Sequence, residues 1–134
     1  MLTNSARGSG EALEHIMITR LWHGWTTQDN ADRYERLIGT EIFPGILARK
    51  ICGLNKLELH RRSLDHEVEF ITAMRFSSMA AVEEFAGPEW EVSVVPQKAR
   101  ALLSRFDAHA QHYEVRVEEE VLSPGRQTGI EDRC

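Results

Sequence analysis

The 134-residue sequence is short of cysteine and of long apolar runs, and each shortage excludes a class of protein. Two cysteines, Cys52 and Cys134, are too few for the disulfide framework of a small secreted domain, which favours a reducing, cytoplasmic location. No apolar stretch approaches the roughly 20 residues that cross a bilayer, so we expect no membrane partner. Residues 1–15 also lack the apolar centre of a signal peptide.

The sequence also lacks an excess of basic charge. It has 16 Lys and Arg against 21 Asp and Glu, a formal net charge of −5. A nucleic-acid ligand requires a concentrated basic face, so this balance argues against one. A metal site is not expected either, because His109 and His112 are three residues apart and would point to opposite faces of a strand.

With 42% hydrophobic residues, the chain is apolar enough to fold, and its length suits one domain. The patterned part covers residues 16–117. Residues 1–15 and 118–134 are polar, with too few apolar groups to offset the entropy of ordering them. We therefore predict one domain between a flexible N-terminal extension and a flexible acidic C-terminal tail.

The order of elements in this domain is strand, helix, strand, strand, helix, strand. The strands are predicted at residues 16–25, 54–62, 67–76 and 105–117. The first helix is indicated by apolar residues three or four apart, namely Ala31, Tyr34, Ile38, Ile42 and Ile46. Pro44 is expected to kink or break its end. Ser78 is predicted to cap the second helix and Gly87 to end it.

This order is typical of the α+β class, specifically the ferredoxin-like split βαβ fold with a four-stranded antiparallel sheet. Right-handed crossovers place both helices on one face of that sheet. Yet Leu21 and Trp22 point to opposite faces of the first strand. A large apolar side chain left in water forfeits about 1.5–3 kcal/mol. We therefore predict a homodimer that covers the second face.

Three separated segments resemble the antibiotic biosynthesis monooxygenase (ABM) domain family: Met17 to Trp25, Phe85 to Gly87, and His112 to Val115. The resemblance covers about residues 16–117 and implies the dimeric α+β barrel fold. It also implies a cofactor-independent monooxygenase for a small aromatic or polyketide-like compound. Such a reaction needs an apolar pocket, a base and a group that holds an oxyanion. Haem-degrading relatives use a tryptophan, a histidine and an asparagine that this chain lacks at the matching positions.

Three residues are candidates for the chemistry. His112 is the candidate base because imidazole titrates near neutral pH, and the alternative is a structural histidine. Arg20 and Arg75 are charged residues on strands that otherwise look buried, so each needs an anionic partner. That partner is either Glu69 or Glu114 of the chain itself, or the phenolate or carboxylate of a substrate.

The predicted pocket wall consists of Trp22, His23, Tyr34, Phe76 and Phe85. Trp22 and Tyr34 have a simpler interpretation as core residues, and His23 as a residue of the dimer interface. Two other functions stay open. A non-catalytic ligand-binding or stress-response dimer has the same pocket without a working base. A purely structural dimer has no void larger than a few water molecules.

Overall fold

The computed structural model describes residues 16–122 and contains one antiparallel sheet with helices packed against it. The strands are β1 (Ile18–Thr26), β2 (Leu54–Ser63), β3 (Val68–Phe76), β4 (Leu103–Phe106) and β5 (Gln111–Glu114). The helices are α1 (Gln28–Leu37), a π-helical segment (Ile38–Ile42), α2 (Phe43–Ala48), α3 (Met79–Ala86) and α4 (Gln97–Leu102). The predicted N-terminal extension lies outside the described residues, as does the tail beyond residue 122. Residues 118–122 are exposed and have no regular secondary structure.

The sheet has the order β2-β3-β1-β4, which confirms the predicted α+β, ferredoxin-like fold. Strands β1 and β3 pair along their full length, from Ile18 opposite Phe76 to Thr26 opposite Val68. Both β1 and β2 are antiparallel to β3, so they are parallel to each other and the first helical segment is the crossover between them. Among residues 16–122, no helix is long and apolar enough to cross a membrane.

The prediction of one continuous last strand is wrong, because that strand is split in two. Strands β4 and β5 both pair with the same edge of β1, with Phe106 opposite Gly24 and Glu114 opposite Ile18. The Asp107 N–H still donates to the His23 carbonyl of β1 at 3.0 Å, and residues 108–110 then leave this edge. Their backbone instead bonds to residues 91–93, through Ser93 N–H to the Ala108 carbonyl and Ala110 N–H to the Glu91 carbonyl. The sheet is still four strands wide.

The helical segment does not break at Pro44 as predicted, because a π-helical turn precedes the proline. Thr27 caps α1, since its side-chain oxygen accepts from the Asn30 N–H at 3.2 Å. The helical path then widens into the π-helical turn, where the Phe43 N–H donates to the Ile38 carbonyl five residues back. Pro44 follows immediately, near the start of α2. A wider turn relieves the clash between a proline ring and the preceding turn, so the path continues to Ala48.

Burial alternates strictly along β1 and separates two faces of the sheet. The even positions, among them Arg20 and Trp22, are buried under the helices. Around them, one core cluster contains Ala31, Tyr34, Ile38, Val68, Phe70 and Ala99, and a second contains Ile18, Met74, Phe76, Ala81 and Val82. The odd positions, such as Leu21, are half-buried on the other side, which we call the open face. The homodimer predicted through the open face stays a prediction.

Candidate functional site

A cavity opens between the helix side of the sheet and the segment that leads into α4. Its apolar walls include Trp22, Ile38, Ile42, Phe43, Met74 and Phe85. Val94, Val95 and Pro96 also line it, ahead of α4. The enclosed space is about 50 Å³, which is room for a few water molecules, and the empty space including the opening to solvent is about 540 Å³. The enclosed space thus meets the condition given for a purely structural dimer, and the cavity differs from that alternative only in its opening to solvent at one side.

Arg20 reaches this cavity from β1 and is only 3% exposed. Its guanidinium donates to the backbone carbonyls of Trp90 at 2.7 Å and Val92 at 3.4 Å. It also lies 5.3 Å from the centre of the Phe85 ring. Within residues 16–122, no carboxylate lies at ion-pair distance from it. Burial lowers the pKa of Arg20 to about 10, so the group stays cationic at neutral pH.

The ion pair predicted for Arg20 is thus not formed. Glu69 bonds instead to His23 and Arg62, and Glu114 lies 3.5 Å from Arg116. A buried cation held only by neutral groups keeps an unused capacity for an anion. Arg20 is therefore the group in this cavity best suited to hold a negatively charged ligand oxygen.

His112 lies on β5 directly opposite Arg20 in the strand register. Its Nε2 is 3.0 Å from an Arg20 nitrogen, and because arginine only donates, Nε2 accepts and the ring is neutral. Burial, and secondarily the charge of Arg20, lower the pKa of His112 to about 4. The edge of Trp90 meets the ring at 4.9 Å. The expectation that His112 titrates near neutral pH is therefore wrong.

Two residues with hydroxyl groups, Tyr34 and Thr72, also line this cavity. Tyr34 comes from α1, is 1% exposed, and packs on Phe70 with ring centres 4.8 Å apart. Its hydroxyl shares a hydrogen bond with the Thr72 side chain, and burial raises the pKa of Tyr34 to about 12. Thr72 was not among the predicted site residues. The available signal was its position as a polar residue on an otherwise apolar face of β3.

Of the predicted pocket wall, Trp22, Tyr34 and Phe85 line the cavity together with Arg20. The Trp22 indole N–H donates to the Asp107 carbonyl at 2.8 Å, which fixes the ring as a wall. Phe76 is fully buried at 0% exposure in the second core cluster and does not line the cavity.

The structure separates His23 and Arg75 from the cavity, because both occupy odd register positions on the open face. His23 Nδ1 lies 3.0 Å from a Glu69 oxygen. Arg75 pairs with Glu118 at 3.1 Å. The intramolecular ion pair predicted as one alternative for Arg75 is therefore present, but with a residue of the predicted tail rather than Glu69 or Glu114.

Sequence reasoning missed the segment between α3 and α4, whose carbonyls at Trp90 and Val92 hold Arg20. No signal in the sequence pointed to it, since backbone atoms make these contacts. Across residues 16–122, no group of three or more His, Cys, Asp or Glu side chains is arranged to hold a metal ion.

Solved structures with this fold include a Bacillus cereus protein provisionally named an antibiotic biosynthesis monooxygenase. It has a TM-score of 0.52 and 17% identity, over 79% of this chain and 99% of that chain. The Mycobacterium tuberculosis protein Rv0793 gives a TM-score of 0.46 and 18% identity, over 79% and 99% of the two chains. No family model and no curated protein matches the sequence. The predicted ABM-like resemblance is thus confirmed as a likeness of fold, and fold alone does not establish activity.

Proposed function

We propose that the protein is a cofactor-independent monooxygenase for a small, electron-rich phenol that binds as its anion. The observation that carries this proposal is Arg20, a buried cation in an apolar cavity without a carboxylate partner among residues 16–122. The name of the Bacillus cereus structure with the same fold supports the reaction class. The narrow cavity favours a single ring over a fused polyketide skeleton.

The reaction needs only substrate and dioxygen. A phenolate donates electrons to dioxygen, and a C–O bond forms at a ring carbon ortho to the phenolate oxygen. The O–O bond then breaks, and the outer oxygen leaves with two hydrogens as water. The phenol thereby loses its O–H and ortho C–H hydrogens and gains one oxygen atom, which yields a quinone.

Arg20 stabilises the phenolate and the oxyanions that follow it, in a site that excludes most water. His112 acts as base or orienter. A substrate oxygen that binds Arg20 displaces the Nε2 contact and so releases His112 to accept the phenolic proton. The bound negative charge also cancels the Arg20 charge, which is the second cause of the low His112 pKa, and that pKa rises on binding.

The proposal includes a homodimer paired through the open face and a cytoplasmic location. Leu21, Trp25 and Ile71 are half-buried apolar residues on that face, and a second copy would remove them from water. The presence of only two cysteines supports a reducing compartment.

A second candidate function is a non-catalytic protein that binds a small aromatic anion. It is favoured by the hydrogen bond between Arg20 and His112, which occupies the accepting nitrogen of the candidate base, and by the small enclosed space. The two functions predict the same ligand but differ in oxygen consumption.

Oxygen uptake with a panel of monocyclic phenols and hydroquinones in aerated buffer tests the proposal. We expect one dioxygen consumed per quinone formed. Arg20→Met should lower the rate about 100-fold or more, as for loss of an oxyanion-stabilising donor. Arg75→Met, on the opposite face, is the matched control and should keep the rate within about twofold of wild type. Ligand binding without oxygen uptake would instead support the second candidate. A folded, fully active Arg20→Met protein would reject Arg20 as the group that holds the anion, which is the observation that carries the proposal.

A further inference from the structure

Two residues that line the cavity carry hydroxyl groups that the proposed reaction does not use, Tyr34 and Thr72. In the register of β1 with β3, Arg20 is opposite Met74 and Trp22 is opposite Thr72. Thr72 is therefore the diagonal neighbour of Arg20 on the same face of the sheet, and such Cα atoms lie about 7–8 Å apart. The cavity thus has a cation at one position and a neutral pair of hydroxyls one step further along the sheet.

The two hydroxyls are suited to a neutral oxygen rather than to an anion. Tyr34 keeps its proton at physiological pH because burial raises its pKa. One hydrogen bond joins Tyr34 to Thr72, and each hydroxyl offers one donor and two acceptor positions. After the shared bond, the pair still has one hydrogen to donate and free lone pairs to accept with. It can therefore bind either a hydroxyl or a carbonyl oxygen.

The surface between the two positions is apolar. Trp22 lies next to both Arg20 and Thr72 on the sheet, and its indole N–H is already bonded to the Asp107 carbonyl. It therefore presents the ring and no free polar atom to a ligand. Met74 and Phe85 also line the cavity with apolar surface. This arrangement matches a flat aromatic ring with an oxygen at each end.

We infer that Tyr34 and Thr72 form a second polar subsite, which selects aromatic ligands with a neutral hydroxyl or carbonyl oxygen across the ring from the anionic oxygen. The inference rests on the proposed function, since Arg20 must hold the anionic end. It narrows the substrate class to hydroquinone-like and para-hydroxyaryl compounds, and it makes Tyr34 and Thr72 specificity-determining residues.

Calorimetric titration of the full chain at pH 7 with two matched pairs of acids tests the subsite. The pairs are benzoate with 4-hydroxybenzoate, and cinnamate with 4-hydroxycinnamate, whose carboxylates stand in for the phenolate. The second pair places its oxygens further apart. In the wild type we expect the hydroxylated member of at least one pair to bind about threefold to tenfold more tightly, the effect of one neutral hydrogen bond.

Thr72→Val removes one hydroxyl with little change of shape, and Tyr34→Phe removes the other while keeping the ring that packs on Phe70. In either variant, the preference for the hydroxylated acid over its partner without a hydroxyl should shrink to within about twofold. The affinity for the acid without a hydroxyl should stay unchanged. Equal loss of affinity for both members of a pair would mean a structural role and overturn the inference. If Tyr34→Phe does not fold, Thr72→Val decides alone.

Failure of the inference differs from failure of the proposed function. If the wild type binds both members of each pair equally and Arg20→Met abolishes that binding, the subsite is wrong and the anion site stands. If no acid binds, or if binding is indifferent to Arg20→Met, the proposed function fails and the subsite fails with it.

Discussion

The cations of the open face and the buried cation of the cavity, Arg20, have different partners. On the open face, His23 and Arg62 share the carboxylate of Glu69, and the same pattern recurs between Arg105 and Glu67, Arg75 and Glu118, and Lys56 and Glu58. On the helix side, the exposed Arg61 also pairs with Asp32 and Glu35. Arg20, by contrast, is buried and meets only carbonyls, an aromatic ring and the neutral His112.

This difference indicates which of these cations can bind an anionic ligand. A cation already paired with a carboxylate of its own chain has little left to offer a ligand, and exposed pairs contribute only about 0–1 kcal/mol each. A buried cation without such a partner costs stability, and a bound anion offsets that cost. The helix side therefore suits a ligand site, and the open face suits contact with a second copy.

The largest effect is expected on the open face, from a charge placed among its apolar residues. Ile71 lies opposite His23 in the centre of that face. Ile71→Glu would bury two like charges at a two-fold interface, so we expect the dimer dissociation constant to rise by at least about 1,000-fold. Sedimentation velocity measures this. The control Ile71→Leu should stay dimeric, and a wild-type protein that is monomeric at micromolar concentration contradicts the homodimer.

Giving the helix side its own carboxylate is expected to have the next largest effect. Met74 is buried directly opposite Arg20, so Met74→Glu supplies the ion pair that the open face already has. We expect the affinity for 4-hydroxybenzoate to fall about 30-fold to 100-fold, measured by calorimetry. Met74→Gln, which has the same length without charge, should stay within about fivefold of wild type. An equal loss of affinity in both variants would show that the change of side-chain shape, and not the added charge, weakens binding.

The two faces also differ in the pH range over which their titrating groups reduce the stability of the folded protein. The folded pKa of His112 is lowered from 6.5 to about 4, so folding favours the neutral ring and stability falls as the pH drops from 6.5 towards 4. Because the ring is half-buried and partly screened, we expect about 1–2 kcal/mol. Urea unfolding of wild type and His112→Gln across this range measures it. Identical pH dependence in both proteins contradicts the assigned cause.

On the open face, the corresponding loss of folding stability occurs at lower pH. Hydrogen bonds from Arg62 and then His23 lower the pKa of Glu69 below its usual 4.5, so its contribution is lost only as the pH falls below that value. Glu69 is itself only 9% exposed, but the amide of Glu69→Gln can still accept a hydrogen bond from Arg62, so we expect a cost of about 1 kcal/mol at pH 7. It should leave ligand binding unchanged. A change in affinity would mean that the faces are coupled.

The fold could be predicted from local signals. Strand alternation, the Ser78 cap and the glycine that ends α3 all act within a few residues, and each is present as expected. The split of the last strand could not, because it depends on backbone bonds between residues 91–93 and 108–110. These two segments are not neighbours in the sequence and meet only in the folded protein.

The candidate site was predictable only in part. Arg20 and Arg75 look alike in the sequence, as charged residues on apolar strands, and alternation alone shows which residues share a face. It does not show which face the helices cover when both carry apolar groups. The hydrogen bond between Arg20 and His112 likewise depends on the cross-strand register. The low pKa of His112 could therefore not be predicted from the sequence.

The ionisation of bound 4-nitrophenol tests the central claim most directly, because its anion has a distinct visible absorption. An apolar cavity alone raises the pKa of a bound phenol, whereas an unpaired cation beside it lowers that pKa. We predict that the wild-type protein lowers the pKa of bound 4-nitrophenol by about one unit or more, and that Arg20→Met raises it above the value in water. A pKa that is raised in the wild type as well would contradict the assignment of Arg20 as an anion-binding group.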